Sequence, residues 1–139
     1  MRSDLQKEFA VVCVVAGDRA DELATAMLTQ LLERAGYQTL TLAADAISEV
    51  LLRGLAAEKD TVIFVSALPP FAFAQSRAVC HRVRAEMPEN RIAVALWNSR
   101  EDAEEMLARF GTARPEAMVS TLAQSVRQVD AWQRATHKV

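Results

Sequence analysis

Cys13 and Arg19 stand in a Cys-x5-Arg spacing, Cys13-Val-Val-Ala-Gly-Asp-Arg19. With that spacing a thiolate can attack a phosphorus atom held by loop N–H groups and a guanidinium. The chemistry needs a polar, Gly-rich loop, a hydroxyl after the arginine and a low thiol pKa. Here Val14 and Val15 continue an apolar run, Asp18 adds negative charge and Ala20 follows the arginine. A buried strand cysteine is the favoured reading of Cys13, since a free thiol packs as a small hydrophobe. A phosphatase is a second alternative only. Cys80 and His81 are adjacent on an expected helix and cannot face one site together. His137 lies in the tail. A zinc site needs three or four converging ligands, and neither these nor a Ser-His-Asp set can be assembled. No catalytic residue and no metal ligand is expected, and the chain reads as a non-enzyme.

The remaining candidates follow four apolar runs: Gly17, Asp18 and Arg19 after the first, Ser66 and Leu68 after the third, Trp97 and Asn98 after the fourth, and Ser120 at the fifth. Phe9–Val15 is continuous and Val-rich, as a strand buried on both faces requires. Tyr37–Ala43 alternates, with Thr39 and Thr41 against Leu40 and Leu42. Thr61–Val65, Arg91–Trp97 and Ala117–Leu122 complete five expected strands. Between them the apolar spacing is helical. Asp18 is placed to cap the first helix, where Leu23, Met27, Leu31 and Ala35 recur every fourth residue beside Ala24, Leu28 and Leu32, and Gly36 occupies the C′ position. Asp45 is expected to cap a second helix with Ile47, Val50, Leu51 and Leu55 inward. Pro69-Pro70 suit a helix entrance, followed by Ala72, Ser76, Val79, Val83 and Met87 on one side and closed by Pro88. Ser99, with Asp102 three residues on, reads as a capping-box variant before Met106, Leu107 and Phe110, ended by Gly111. A last helix is expected from Ala123 to about Ala135, with Val126, Val129 and Trp132 or Gln133 along one side.

Five β-α units with short connections predict an α/β fold, a three-layer α/β/α sandwich on a five-stranded parallel sheet. The flavodoxin-like order 2-1-3-4-5 is the leading expectation, with any ligand at the carboxyl ends of the strands where the order reverses. Residues 9–135 read as one domain, with a loose N-terminal end at 1–8 and a tail at 136–139.

Composition and charge exclude several classes. The chain has 139 residues, 51% hydrophobic and 24% charged, which is a folded globule. Its net charge of −2 lacks the basic footprint of a general nucleic-acid binder. The stretch Thr61–Ser76 is free of charge, but it is broken by Pro69-Pro70 and is shorter than the roughly 20 apolar residues of a membrane span. Two cysteines in apolar segments suit a reduced, cytoplasmic protein. A phospho-accepting receiver would need an Asp where Ser66 ends the third strand and a Lys near Leu122. A flavodoxin phosphate loop would need Ser, Thr and Gly where Asp18, Asp21 and Glu22 stand. The glycine fingerprint of dinucleotide binders is also missing. Phe71, Phe73 and Trp132 could form exposed apolar edges suited to a homo-oligomer.

Gly17-Asp-Arg-Ala-Asp-Glu-Leu-Ala-Thr-Ala-Met-Leu28, Ser66-Ala-Leu-Pro-Pro70 and Ala95-Leu-Trp97 resemble the cobalamin-binding domain family, in layout over about residues 9–98. Within it they are similar to the soluble C-terminal extension of transporters of the autoinducer-2 exporter family. In base-off cobalamin binders of this family the loop after strand one reads Asp-x-His-x-x-Gly, with the His on cobalt and the Asp orienting it. Asp18 matches the Asp, but Ala20 stands at the His position and Leu23 at the Gly. Ser66 and Leu68 match a Ser-x-Leu element whose Ser contacts the lower nucleotide, and Leu96-Trp97 fall where a Gly-Gly leaves room for the nucleotide tail. The resemblance implies a degenerate cobalamin-domain fold acting as a non-catalytic regulatory or interaction module, with no cofactor. It implies a tether to the transmembrane helices of a transporter, on the cytoplasmic face of the inner membrane. The alternative is a sensor that binds base-on cobalamin, or a nucleotide-like ligand, over Gly17, Asp18, Arg19, Ser66, Leu68, Trp97, Asn98 and Ser120.

Overall fold

The computed structural model describes residues 10–17, 19–58, 60–68, 72–97 and 99–137. Its elements run β1 (Ala10–Val15), α1 (Arg19–Arg34), β2 (Gln38–Ala43), α2 (Glu49–Ala56), β3 (Val62–Ala67), α3 (Ala72–Glu86), β4 (Ile92–Leu96), α4 (Ala103–Ala108), β5 (Ala117–Val119) and α5 (Leu122–His137), with single 3-10 turns at Ala44–Ala46 and Gly111–Ala113. The strands form one sheet in the order β2-β1-β3-β4-β5, every pair parallel. This is the flavodoxin-like architecture that the alternation predicts.

The continuous apolar runs sit at the centre, as two-sided burial demands. Every residue of β3 and β4 is buried, whereas β2 lies at an edge and is largely open. Side chains alternate between the faces. Val11, Cys13, Phe64, Ala93, Ala95 and Trp97 point to one side with Leu28, Leu32 and Val129, buried apolar residues of α1 and α5. Val12, Val14, Ile63, Val65, Val94 and Leu96 point to the other, where Leu52, Val79, Val83, Met87 and Phe110 cover them.

Helix ends show where local chemistry prevails. Gly36 has φ of +100°, and the N–H groups of Tyr37 and Gly36 donate to the carbonyls of Leu32 and Glu33. That is the Schellman closure expected of a C′ glycine. Several expectations are corrected. Ser48, not Asp45, caps α2, its Oγ accepting from Leu51 N, because Asp45 sits within a 3-10 turn. The later start rotates the helix phase, so Leu52 is buried and Val50 is 73% exposed. Asp102, not Ser99, caps α4, accepting from Glu104 N, and the helix is only six residues long. On α1 the inward row is Leu28 and Leu32, while Leu23, Met27 and Leu31 face solvent. The fifth strand is shorter than expected, and α5 begins at Leu122 and continues through His137.

The other apolar positions settle differently from the expected edges. Phe73 stacks edge-on against Phe110 with ring centroids 5.0 Å apart, and the Arg109 guanidinium lies 4.3 Å from its ring. Trp132 is half-buried under Arg91. Neither is an exposed apolar edge. Phe71, the Pro69-Pro70 entrance and the Asp18 cap lie outside the described residues.

Candidate functional site

β1 and β3 flank the reversal of strand order, so the crevice is bounded by the loops leaving these two strands and by the ends of β4 and β5. Parallel pairing sets Ser66 beside Val15 and Ala95. Trp97 extends β4 by one residue, its N–H donating to the carbonyl of Ala67 at 3.3 Å. Ser66, Ala95 and Trp97 therefore share the sheet face covered by α1 and α5. Trp97 Nε1 donates to Ser66 Oγ at 2.7 Å, and both residues are buried. The Ser66 hydroxyl, which the resemblance assigns to a lower nucleotide, is engaged by the chain itself. The buried indole stands at one of the two positions where the resemblance expects Gly-Gly.

A second tie closes the loop after β3 onto α1. Asp21 is 2% exposed, and its Oδ1 accepts from Leu68 N at 2.6 Å. Gly17 permits this approach. A Cβ there would overlap the Asp21 carboxylate and lie 2.6 Å from Gln75 Oε1. Asp21 thus does more than complement the first turn of a helix: it fixes the β3 loop against α1. Thr121 caps α5 through Gln124 N at 3.1 Å, and the Gln124 side chain reaches back to Ser120 N at 2.8 Å and to the Ser120 hydroxyl at 3.3 Å. This is a relative of the capping box, and it occupies the Ser120 hydroxyl.

An apolar cavity of about 380 Å³ stays open between α1 and α5, lined by Met27, Leu68, Trp97, Ser120 and Leu122 among others. A smaller space of about 200 Å³ touches Trp97 together with Phe73, Leu96 and Ser99. Of the eight site residues expected from the sequence, Leu68, Trp97 and Ser120 converge on the larger cavity. Ser66 is buried in the Trp97 contact, and Gly17 stands by Asp21 rather than on the cavity. Arg19 opens α1. Asp18 and Asn98 lie outside the described residues. Thr121, expected with Ser120 at the edge of the crevice, also lines it, whereas the sequence reading missed Ala24, Met27 and Leu122 on the wall. The signal for Leu122 was present, since it lies just past a strand end. The signal for Met27 was hidden by assigning its row to the core.

Cys13 is buried on β1, and burial foremost, with the Glu33 charge second, pushes its thiol up to about 12. Burial likewise pushes the Cys80 thiol up to about 12, against a lowering effect of Arg84 and with a smaller raising one from Glu116. A thiolate nucleophile needs the opposite shift. Cys80 is buried and His81 exposed, so they face apart as adjacent helical residues must. Among the described residues no cluster of three or more His, Cys, Asp or Glu is placed to hold a metal ion, and no helix is long and apolar enough to cross a membrane.

No family model and no curated protein matches the chain. Among solved structures, the chain is similar to a cobalamin-binding protein from Desulfitobacterium hafniense DCB-2, with a TM-score of 0.67, 14% identity, and coverage of 91% of this chain and 60% of that one. The chain thus spans under two thirds of that protein. It is also similar to a response regulator from Thermotoga maritima, with a TM-score of 0.59, 16% identity, and coverage of 89% of this chain and 96% of that one. At these identities the likeness is one of fold: the chain has the flavodoxin-like α/β fold that the two proteins share.

Proposed function

We propose that the chain is a non-catalytic interaction module on a cobalamin-domain scaffold whose lower channel is closed. The observation that carries this reading is the buried hydrogen bond between Trp97 Nε1 and Ser66 Oγ, 2.7 Å long. It engages one lone pair of the Ser66 hydroxyl and covers that hydroxyl with an indole, so a nucleotide tail would have to displace Trp97 to reach it. Ala20 at the position of the axial His supports the same reading from below the metal. The residues present therefore do not fit cobalamin in the base-off mode. Two buried thiols, held in the protonated form by burial, support a reading without thiolate catalysis. The likeness of Gly17–Leu28 to transporter extensions supports a tether on the cytoplasmic side of an inner-membrane transporter.

Gel filtration with hydroxocobalamin and with adenosylcobalamin, followed in the visible, tests the reading. Protein and corrin are expected to elute apart. Co-elution with a shifted corrin spectrum overturns it.

The cavity of about 380 Å³ favours one second reading, a sensor of a small ligand such as a nucleoside set against Leu68, Trp97 and Ser120. A rise in melting temperature with adenosine or guanosine that disappears in Leu68→Asp is the outcome that reading requires.

A further inference from the structure

We infer that the surface between α1 and α5 docks an acidic amphipathic helix of a partner protein. The inference deepens the interaction-module reading and rests on it.

Leu23, Met27 and Leu31 are 69%, 55% and 36% exposed, while Leu28 and Leu32 on the adjoining row are fully buried. The exposed three are spaced by four, so they form one continuous ridge along α1. Large apolar side chains in such a row on a helix that already has a complete buried face mark a contact surface. The ridge leads into the cavity, whose wall it shares through Met27, and Leu68, Trp97 and Leu122 offer an apolar socket there. Methionine's unbranched thioether suits a socket that must adapt to a guest.

The charge around this surface selects the guest. The whole chain is net acidic, at −2. Yet the exposed ends of the groove are basic. Arg34 lies in the last turn of α1, and Arg127 and Arg134 stand seven residues apart on the open side of α5. Arg134 is near enough to α1's end to act on the Tyr37 hydroxyl. The ion pairs among the described residues involve Arg53, Arg84 and Arg114 instead. Of the carboxylates close by, Asp130, which accepts from Tyr37 Oη, offsets one of the charges of Arg34, Arg127 and Arg134 and leaves an excess of positive charge, while Glu33 is turned to Thr39 Oγ1 of β2 at 2.6 Å. Glu22 is exposed but lies about a quarter-turn off the ridge.

A second copy does not fit. A two-fold contact through this surface would bring Arg34, Arg127 and Arg134 against the same cations of the other copy. A head-to-tail contact could offer the acidic corner of Glu101, Asp102, Glu104 and Glu105, but Met106, Leu107 and Phe110 there are buried and leave no apolar knob for the socket. A helix with an apolar stripe flanked by carboxylates satisfies both features.

The test uses the full chain and two fluorescein-labelled synthetic helices of about four turns, identical in their leucine stripe, one flanked by Glu and its twin by Lys. Anisotropy should show the Glu helix binding at least about tenfold more tightly, an advantage that weakens between about 50 and 500 mM salt. Met27→Asp should lower that affinity about tenfold with an unchanged melting curve. Arg127→Glu with Arg134→Glu should reverse the preference. Equal binding of the twins, no binding of the Glu helix, or capture of phosphatidylglycerol vesicles in its place overturns the proposal. So does a concentration-dependent dimer in sedimentation that Met27→Asp abolishes. Corrin co-elution would overturn the module reading whatever the helices do, whereas failure of the Glu helix overturns the docking surface alone.

Discussion

Trp97 and Ser66 are separated by 31 residues and joined by one buried hydrogen bond. Ser66→Ala leaves the indole N–H buried without a partner, which costs about 1–3 kcal/mol. Trp97→Phe leaves the hydroxyl in the same position at similar cost. The double variant should cost less than the sum, with a coupling of about 0.5–3 kcal/mol measured by urea unfolding. Additive effects would show that the pair is adjacent but not bonded. The two thiols give a pH prediction. Folding holds both near 12, above the ordinary 9.0. The folded chain keeps these protons where the unfolded chain has lost them, so the stabilising contribution is complete below pH 9.0 and is lost as pH rises toward about 12. Burial and the Asp130 hydrogen bond raise the Tyr37 hydroxyl in the same sense. Urea midpoints should therefore fall across that alkaline range, and less so in Cys13→Ala with Cys80→Ala. Ser66, Leu68, Trp97 and Ser120 could each be named from a place at a strand end. The bond between two of them could not, because it depends on register between strands distant in sequence.

Along the elements, periodicity told helix from strand but not which of two adjacent apolar rows turns inward. On α1 the rows 23/27/31 and 24/28/32 are both apolar and differ by about 100°. Only contact with β1 and β3 selects the second. Leu28→Ala should therefore cost about 2–5 kcal/mol, while Met27→Ala should stay within about 0.5 kcal/mol. Chemical denaturation of the two variants side by side checks this, and equal losses would return Met27 to the core. The same reasoning covers α2. Moving the cap from Asp45 to Ser48 makes Leu52 the inward residue and Val50 an exposed one. An acid three residues early was a good cap by type, but the backbone places it in a 3-10 turn. Gly17 shows a third dependence, of a turn on a neighbouring helix. Gly17→Ala should destabilise by about 1–3 kcal/mol through collision with Asp21 and Gln75.

For the whole molecule, the order of strands was legible because β-α alternation with short connections admits few topologies. The fate of the crevice was legible only in part. The missing imidazole at Ala20 and the bulk at Leu96-Trp97 pointed to a closed channel. That an open apolar cavity would survive beside it, between α1 and α5, depends on how the helices splay and not on any motif. The scaffold is one that a cobalamin-binding protein shares, and in the proposed reading the channel that would admit the tail of a corrin is occupied by the protein's own tryptophan. Equilibrium dialysis of the intact protein against hydroxocobalamin at about 1 mM tests this most directly. The account predicts equal corrin concentration in the two chambers and an unaltered visible spectrum. Stoichiometric uptake, with the spectrum of a corrin whose nucleotide has left the cobalt, would contradict it.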